Sequence, residues 1–186
     1  TYAQVMNYFV IICLVIFLAT TLYLETVRQF VGKAYYPGLD VVPVLLLANL
    51  FLGVFYNLSI WYKLTNRTIF GAYISLIGAG VTLLTNFLLI PVMGYMGAAW
   101  SHFICYATLM ILSWALGQKH YPVPYNLRKI GLYFGVALLI YGANEWIKTL
   151  VPGFYLFRAS FFMMLFIAFV LWEFRSYLPF RRKISI

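Results

Sequence analysis

The side chains able to do acid–base or metal chemistry are few and far apart. The four acidic residues, Glu25, Asp40, Glu145 and Glu173, are scattered over 186 positions. No two are spaced for general acid–base work, and none forms the carboxylate-rich set that holds a divalent cation in phosphoryl or glycosyl transfer. His102 has no acidic neighbour along the chain, and His120 sits in the segment Gln118-Lys119-His120-Tyr121-Pro122. Cys13 and Cys105 lack metal-ligand spacing and read as small apolar residues inside helices. No phosphate-cradling glycine loop or nucleophile elbow is present. The expectation is a protein that is not an enzyme and that carries neither cofactor nor metal.

Polar groups do recur in helical register. Asn49, Gly53 and Asn57 follow one another at intervals of four, which places them on one stripe of a helix. An amide at membrane depth faces either a water-filled cavity or a neighbouring helix to which it hydrogen-bonds. Gly71, Ser75, Gly78, Thr82 and Asn86 trace a second face, and Gly97, Ser101, Cys105 and Thr108 a third. Small residues of this kind let helices approach closely, so both faces are expected to pack helices together. Arg158 falls about a turn inside an apolar run. There it either snorkels to the interface or meets a partner or an anionic ligand. Arg28 and Lys33 lie between two such runs and can meet a phosphate or flank a helix end, and His102 suits a structural hydrogen bond better than proton coupling. The candidate cavity-lining residues are therefore Asn49, Asn57, Arg158, Arg28 and His102.

The elements that must position them follow from composition. Apolar residues make up 65% of the chain and charged residues only 9%, against roughly a quarter charged in a soluble domain, so too few charges exist to build a wet exterior. Lipid must take its place. Six apolar stretches, at 5–24, 41–61, 69–92, 97–116, 130–146 and 154–172, are each long enough to cross the hydrocarbon core. They must be helices, because lipid offers no partner to an open backbone and the runs lack the alternation of an outer-membrane barrel. Tyr35, Tyr36, Trp61, Tyr62 and Trp172 fall near the expected ends, as interfacial aromatic residues do. Pro91 and Gly94 mark a tight reversal between the third and fourth stretches.

The formal charge of +9 does not point to nucleic acid, because the basic residues punctuate apolar runs rather than gather on one face. If the helices alternate in direction, Lys63, Arg67, Lys119, Arg128, Lys129, Arg175, Arg181, Arg182 and Lys183 share one side, nine against the four of Arg28, Lys33, Lys148 and Arg158. That asymmetry assigns the first side, with both chain ends, to the cytoplasm. Arg181, Arg182 and Lys183 would serve as an anchor at anionic headgroups. The start at Thr1, with no signal-peptide pattern after it, suggests a piece of a longer chain.

One segment carries more. Asn86, an apolar run ending in Ile90-Pro91, then Gly94, Gly97-Ala98-Ala99 and Ser101 resemble the signature of polysaccharide flippases, with Lys63 to Thr68 similar to that family's short basic loop. This family belongs to the superfamily that also holds multidrug exporters. The resemblance implies an all-α integral membrane fold in which six transmembrane helices form one lobe of a two-lobe transporter, here the C-terminal half. It implies a lipid-linked oligosaccharide as substrate, carried on undecaprenyl diphosphate to the outer leaflet of the bacterial cytoplasmic (inner) membrane. It implies a missing N-terminal six-helix lobe as partner beside the lipid bilayer. The alternatives are a multidrug exporter of the same superfamily, for which Glu25 and Glu145 lie too near helix ends, and a membrane scaffold subunit that transports nothing.

Overall fold

A computed structural model describes residues 2–150 and 154–175, with side chains to residue 173. Apart from turns and short connections the described chain is helical: α1 (Tyr2–Leu22), α2 (Leu24–Phe30), a short 3₁₀ helix (Lys33–Val41), α3 (Val42–Leu58), α4 (Ile60–Leu64), α5 (Ile69–Met93), α6 (Tyr95–His120), α7 (Leu127–Leu150) and α8 (Tyr155–Arg175). Six helical spans among the described residues are long and apolar enough to cross a membrane, the second running from Lys33 to Leu64 through the 3₁₀ helix, α3 and α4. The protein is an all-α, multi-pass membrane protein.

The core follows the helical period. Val10, Leu14, Phe17 and Leu18 of α1 are almost fully buried and repeat at spacings of four, three and one, which places them on one side of the helix. Thr21, also buried, donates its hydroxyl proton to the Phe17 carbonyl at 2.7 Å and so carries no unmet polar group into the core. The opposite pattern holds on α5, where Leu76, Leu83, Phe87 and Val92 point outward and only Ile74 and Gly78 are buried. An apolar face of this kind suits lipid or another apolar surface rather than water.

Pro91 does not end α5. The helix continues to Met93, since a proline in the last turn removes only one late backbone hydrogen bond, and the reversal falls on Gly94 alone. At φ +57° and ψ −131° Gly94 adopts a backbone conformation that a Cβ would strain. The next close approach is at Gly97, where an added Cβ would collide with the Leu89 carbonyl oxygen of α5. The small-residue face of α6 is buried at Gly97, Ser101 and Cys105 and continues through Leu109 and Ser113 to Gly117 rather than through Thr108. Across the hairpin, the Cys105 thiol lies 3.4 Å from the Gly78 carbonyl oxygen. The expected packing role of these two faces is visible at those positions.

α6 packs along both α3 and α5, and α1 packs on α3 at least as closely as on α7 and α8. At the seam between α1 and α3 the Phe9 ring lies directly on Gly53. Phe51 of α3 stacks on Phe134 of α7, with ring centroids 5.6 Å apart. Beside the seam runs a cleft of about 310 Å³ lined only by apolar residues, among them Met6, Val10, Leu50, Met110 and Ile130.

The ends alternate. At one, Trp61 stacks on His120 with centroids 5.3 Å apart, and Lys129 pairs with Glu173 at 2.7 Å. At the other, Lys148 pairs with Glu25 at 2.9 Å and Gln29 donates to the Tyr155 hydroxyl at 3.1 Å. α7 begins one turn earlier and ends one turn later than the apolar run 130–146, because its terminal Lys129 and Lys148 find carboxylates on other helices. The basic run Arg181, Arg182 and Lys183 lies outside the described residues.

Candidate functional site

At the second end, four elements converge on a polar recess of about 400 Å³. α2 supplies Glu25, Arg28 and Gln29, the 3₁₀ helix supplies Tyr36, α7 supplies Lys148 and α8 supplies Tyr155 and Arg158. A second hollow of about 330 Å³ shares Glu25, Arg28, Tyr36 and Lys148 and extends toward Asp40. The local structure explains how the side chains are held. α1 stops at Leu22, and the chain turns through Tyr23 into a separate short helix, so α2 brings its polar residues over the ends of α7 and α8. The Tyr23 hydroxyl is within 2.9 Å of Ser160 Oγ, which ties that turn to α8.

Each cation has a defined setting. Nε of Arg158 donates to Oδ1 of Asn144 at 2.9 Å. The Arg28 guanidinium lies over the Tyr36 ring, 4.4 Å from its centroid. Lys148 reaches Glu25 at 2.9 Å and Glu145 at 3.9 Å, and Arg28 also approaches Glu25 at 3.9 Å. The hydrogen bond from Lys148 holds the Glu25 carboxyl below its usual range, partial burial opposes this, and the charges of Lys148, Arg28 and Arg158 add to the lowering. The recess is lined by three cations and the carboxylate of Glu25, while Glu145 also reaches Lys148 and Asp40 lines the adjoining hollow. Guanidinium groups gathered in this way suit the oxygens of phosphate or carboxylate.

Of the sequence candidates, the fold brings Arg28 and Arg158 together here. Asn49, Asn57 and His102 do not line the recess. The amide of Asn49 donates to the Leu45 carbonyl at 2.8 Å and that of Asn57 to Gly53 at 3.4 Å, both within their own helix. His102 Nδ1 lies 2.9 Å from the Ala98 carbonyl oxygen, again one turn back. Three participants escaped the sequence reading. In the sequence Lys148 and Glu25 are charges near the ends of apolar runs, and no motif singles out Asn144, which is 3% exposed and lies in register with buried Ala137 and Ile140. That register was the available signal. Among the described residues no three His, Cys, Asp or Glu side chains cluster as metal ligands would.

Comparison with protein-family models, with curated proteins and with solved structures returns no match to this chain.

Proposed function

We propose that this chain is one six-helix lobe of a membrane flippase that moves an undecaprenyl-diphosphate-linked oligosaccharide to the outer leaflet for surface polysaccharide assembly. The observation that carries the reading is the recess of Arg28, Lys148 and Arg158, three cations gathered from separate elements at the end of apolar spans, where they suit a diphosphate on a membrane lipid. The Asn86 to Ser101 hairpin, with its resemblance to the flippase signature, supports the family. In this reading both chain ends face the cytoplasm of a bacterial inner membrane, the recess faces outward, and a second lobe completes the transport path by alternating access. Export of cationic drugs fits less well, because the carboxylate nearest the recess, Glu25, is already held by Lys148 and Arg28.

The test is translocation by the parent protein in reconstituted vesicles, following a lipid-linked oligosaccharide between leaflets. Arg28→Gln with Arg158→Gln should slow transfer by about tenfold to a hundredfold, the loss expected when charge-assisted hydrogen bonds are removed. An unaltered rate in the folded double variant sinks the proposal.

A further inference from the structure

The position of Glu25 carries a second conclusion, about how the recess is kept. The only carboxylate among the residues lining it sits between its cations: 2.9 Å from Lys148, 3.9 Å from Arg28, and on the same cavity wall as Arg158. A carboxylate placed there occupies the space and the hydrogen bonds that an incoming anion needs. It is also borne on a seven-residue helix, α2, that buries none of its residues and is bounded by the turn at Tyr23 and by extended backbone at Gly32 and Val31. No buried side chain opposes its displacement, only surface contacts such as the Gln29–Tyr155 hydrogen bond and the Arg28–Tyr36 ring contact. Lys148 and Arg158, by contrast, sit on long spans, and Arg158 is braced by the buried Asn144 amide.

We infer that Glu25 is a built-in stand-in for an anionic ligand: a phosphate group docks against Lys148 and Arg158 by displacing the Glu25 carboxylate, and α2 moves aside with Glu25 and Arg28 still paired on it. The flippase reading supplies the context in which a lipid diphosphate would arrive, but the inference concerns binding and does not require translocation. Exchange of one anion for another leaves the cations paired throughout, so neither state strands a charge at the membrane boundary. The affinity for phosphate is then set by competition with the tethered carboxylate, whose local concentration is high.

The experiment uses the full chain in neutral-lipid nanodiscs, with inorganic pyrophosphate as the soluble probe and phosphatidic acid doped into the bilayer as the lipid-borne one. Glu25→Gln should bind at least one probe about fivefold or more tighter than the unaltered chain, in the range of ordinary coupling energies. Glu25→Asp, which keeps the charge, should stay near the unaltered affinity, and Lys148→Met should weaken binding. Tightening with pyrophosphate alone names a soluble phosphate, and tightening with phosphatidic acid alone names a headgroup. No tightening with either overturns the inference. A second readout keeps Glu25 in place: spin labels at Val27→Cys and Thr149→Cys, with Cys13 and Cys105 changed to Ala, should move apart at saturating probe. An unchanged distance at saturation overturns it too. Tight binding by Glu25→Gln in a parent that fails to translocate would count against the flippase reading and leave this one standing.

Discussion

Arg158 on α8 donates its Nε proton to Oδ1 of Asn144 on α7, at 2.9 Å, and Asn144 is 3% exposed. An arginine one turn inside an apolar helix is thereby held by an amide two turns inside its neighbour. Removing the amide leaves a charged donor half-buried without this acceptor. Asn144→Ala should therefore lower stability by about 1–3 kcal/mol, read as a lower unfolding midpoint in detergent. Asn144→Asp, which keeps the acceptor and adds a countercharge, should stay within about 1 kcal/mol of the unaltered protein.

A second prediction concerns the hairpin. A methyl group at Gly97 would meet the backbone oxygen of Leu89, an atom that moves only if the two helices part. Gly97→Ala should cost about 1–3 kcal/mol as overpacking does. Gly80, with open space where its Cβ would lie, is the control on the same hairpin. Gly80→Ala should be neutral or slightly stabilising through helix propensity.

The pair Lys129–Glu173 spans 2.7 Å with both side chains mostly covered, at 29% and 17% exposure. It lies between the weak limit of surface pairs and the strong limit of buried ones. A double-mutant cycle with Lys129→Met and Glu173→Gln should yield a coupling of about 1–3 kcal/mol. A coupling indistinguishable from zero would show that the two charges are solvated independently.

Much of the architecture was legible before the structure. Runs of Leu, Ile, Val and Phe long enough to cross a bilayer locate the spans, because in lipid nothing but a helix satisfies their backbone. What periodicity could not reach was pairing between helices. Asn49 and Asn57 share a stripe, yet each amide bonds back to its own helix, while the recess joins Glu25 and Arg28 of α2 to Lys148 and Arg158, more than a hundred residues further along the chain. Register along one helix says which residues share a face, not which foreign residue meets that face. The extent of α7 was hidden for the same reason: Lys129 and Lys148 look like helix breakers from lipid until Glu173 and Glu25 are seen beside them.

The charge of Glu25 also predicts a dependence on acidity. Its folded-state pKa lies below the ordinary value of 4.5, so its ion pairs stabilise the protein above that value and are lost as the pH falls through the folded one. The unfolding midpoints of the unaltered chain and of Glu25→Gln should differ by a constant amount near neutrality and converge as the pH falls through the folded-state value. A difference that persists undiminished in acid would assign the effect of the substitution to packing.

The seam where Phe9 rests on Gly53 has a mechanical meaning. Because α5 is locked to α6 by a one-residue turn and α6 lies along α3, that trio behaves as a single beam, and α1 is joined to it as firmly as to α7 and α8. α1 meets the beam through the Phe9 ring on Gly53 and through Leu50, Val54 and Leu58, which share one core with Val10 and Leu14. The beam is therefore the stiff part of the bundle, and α7 and α8, held to it mainly through α1, are the compliant part.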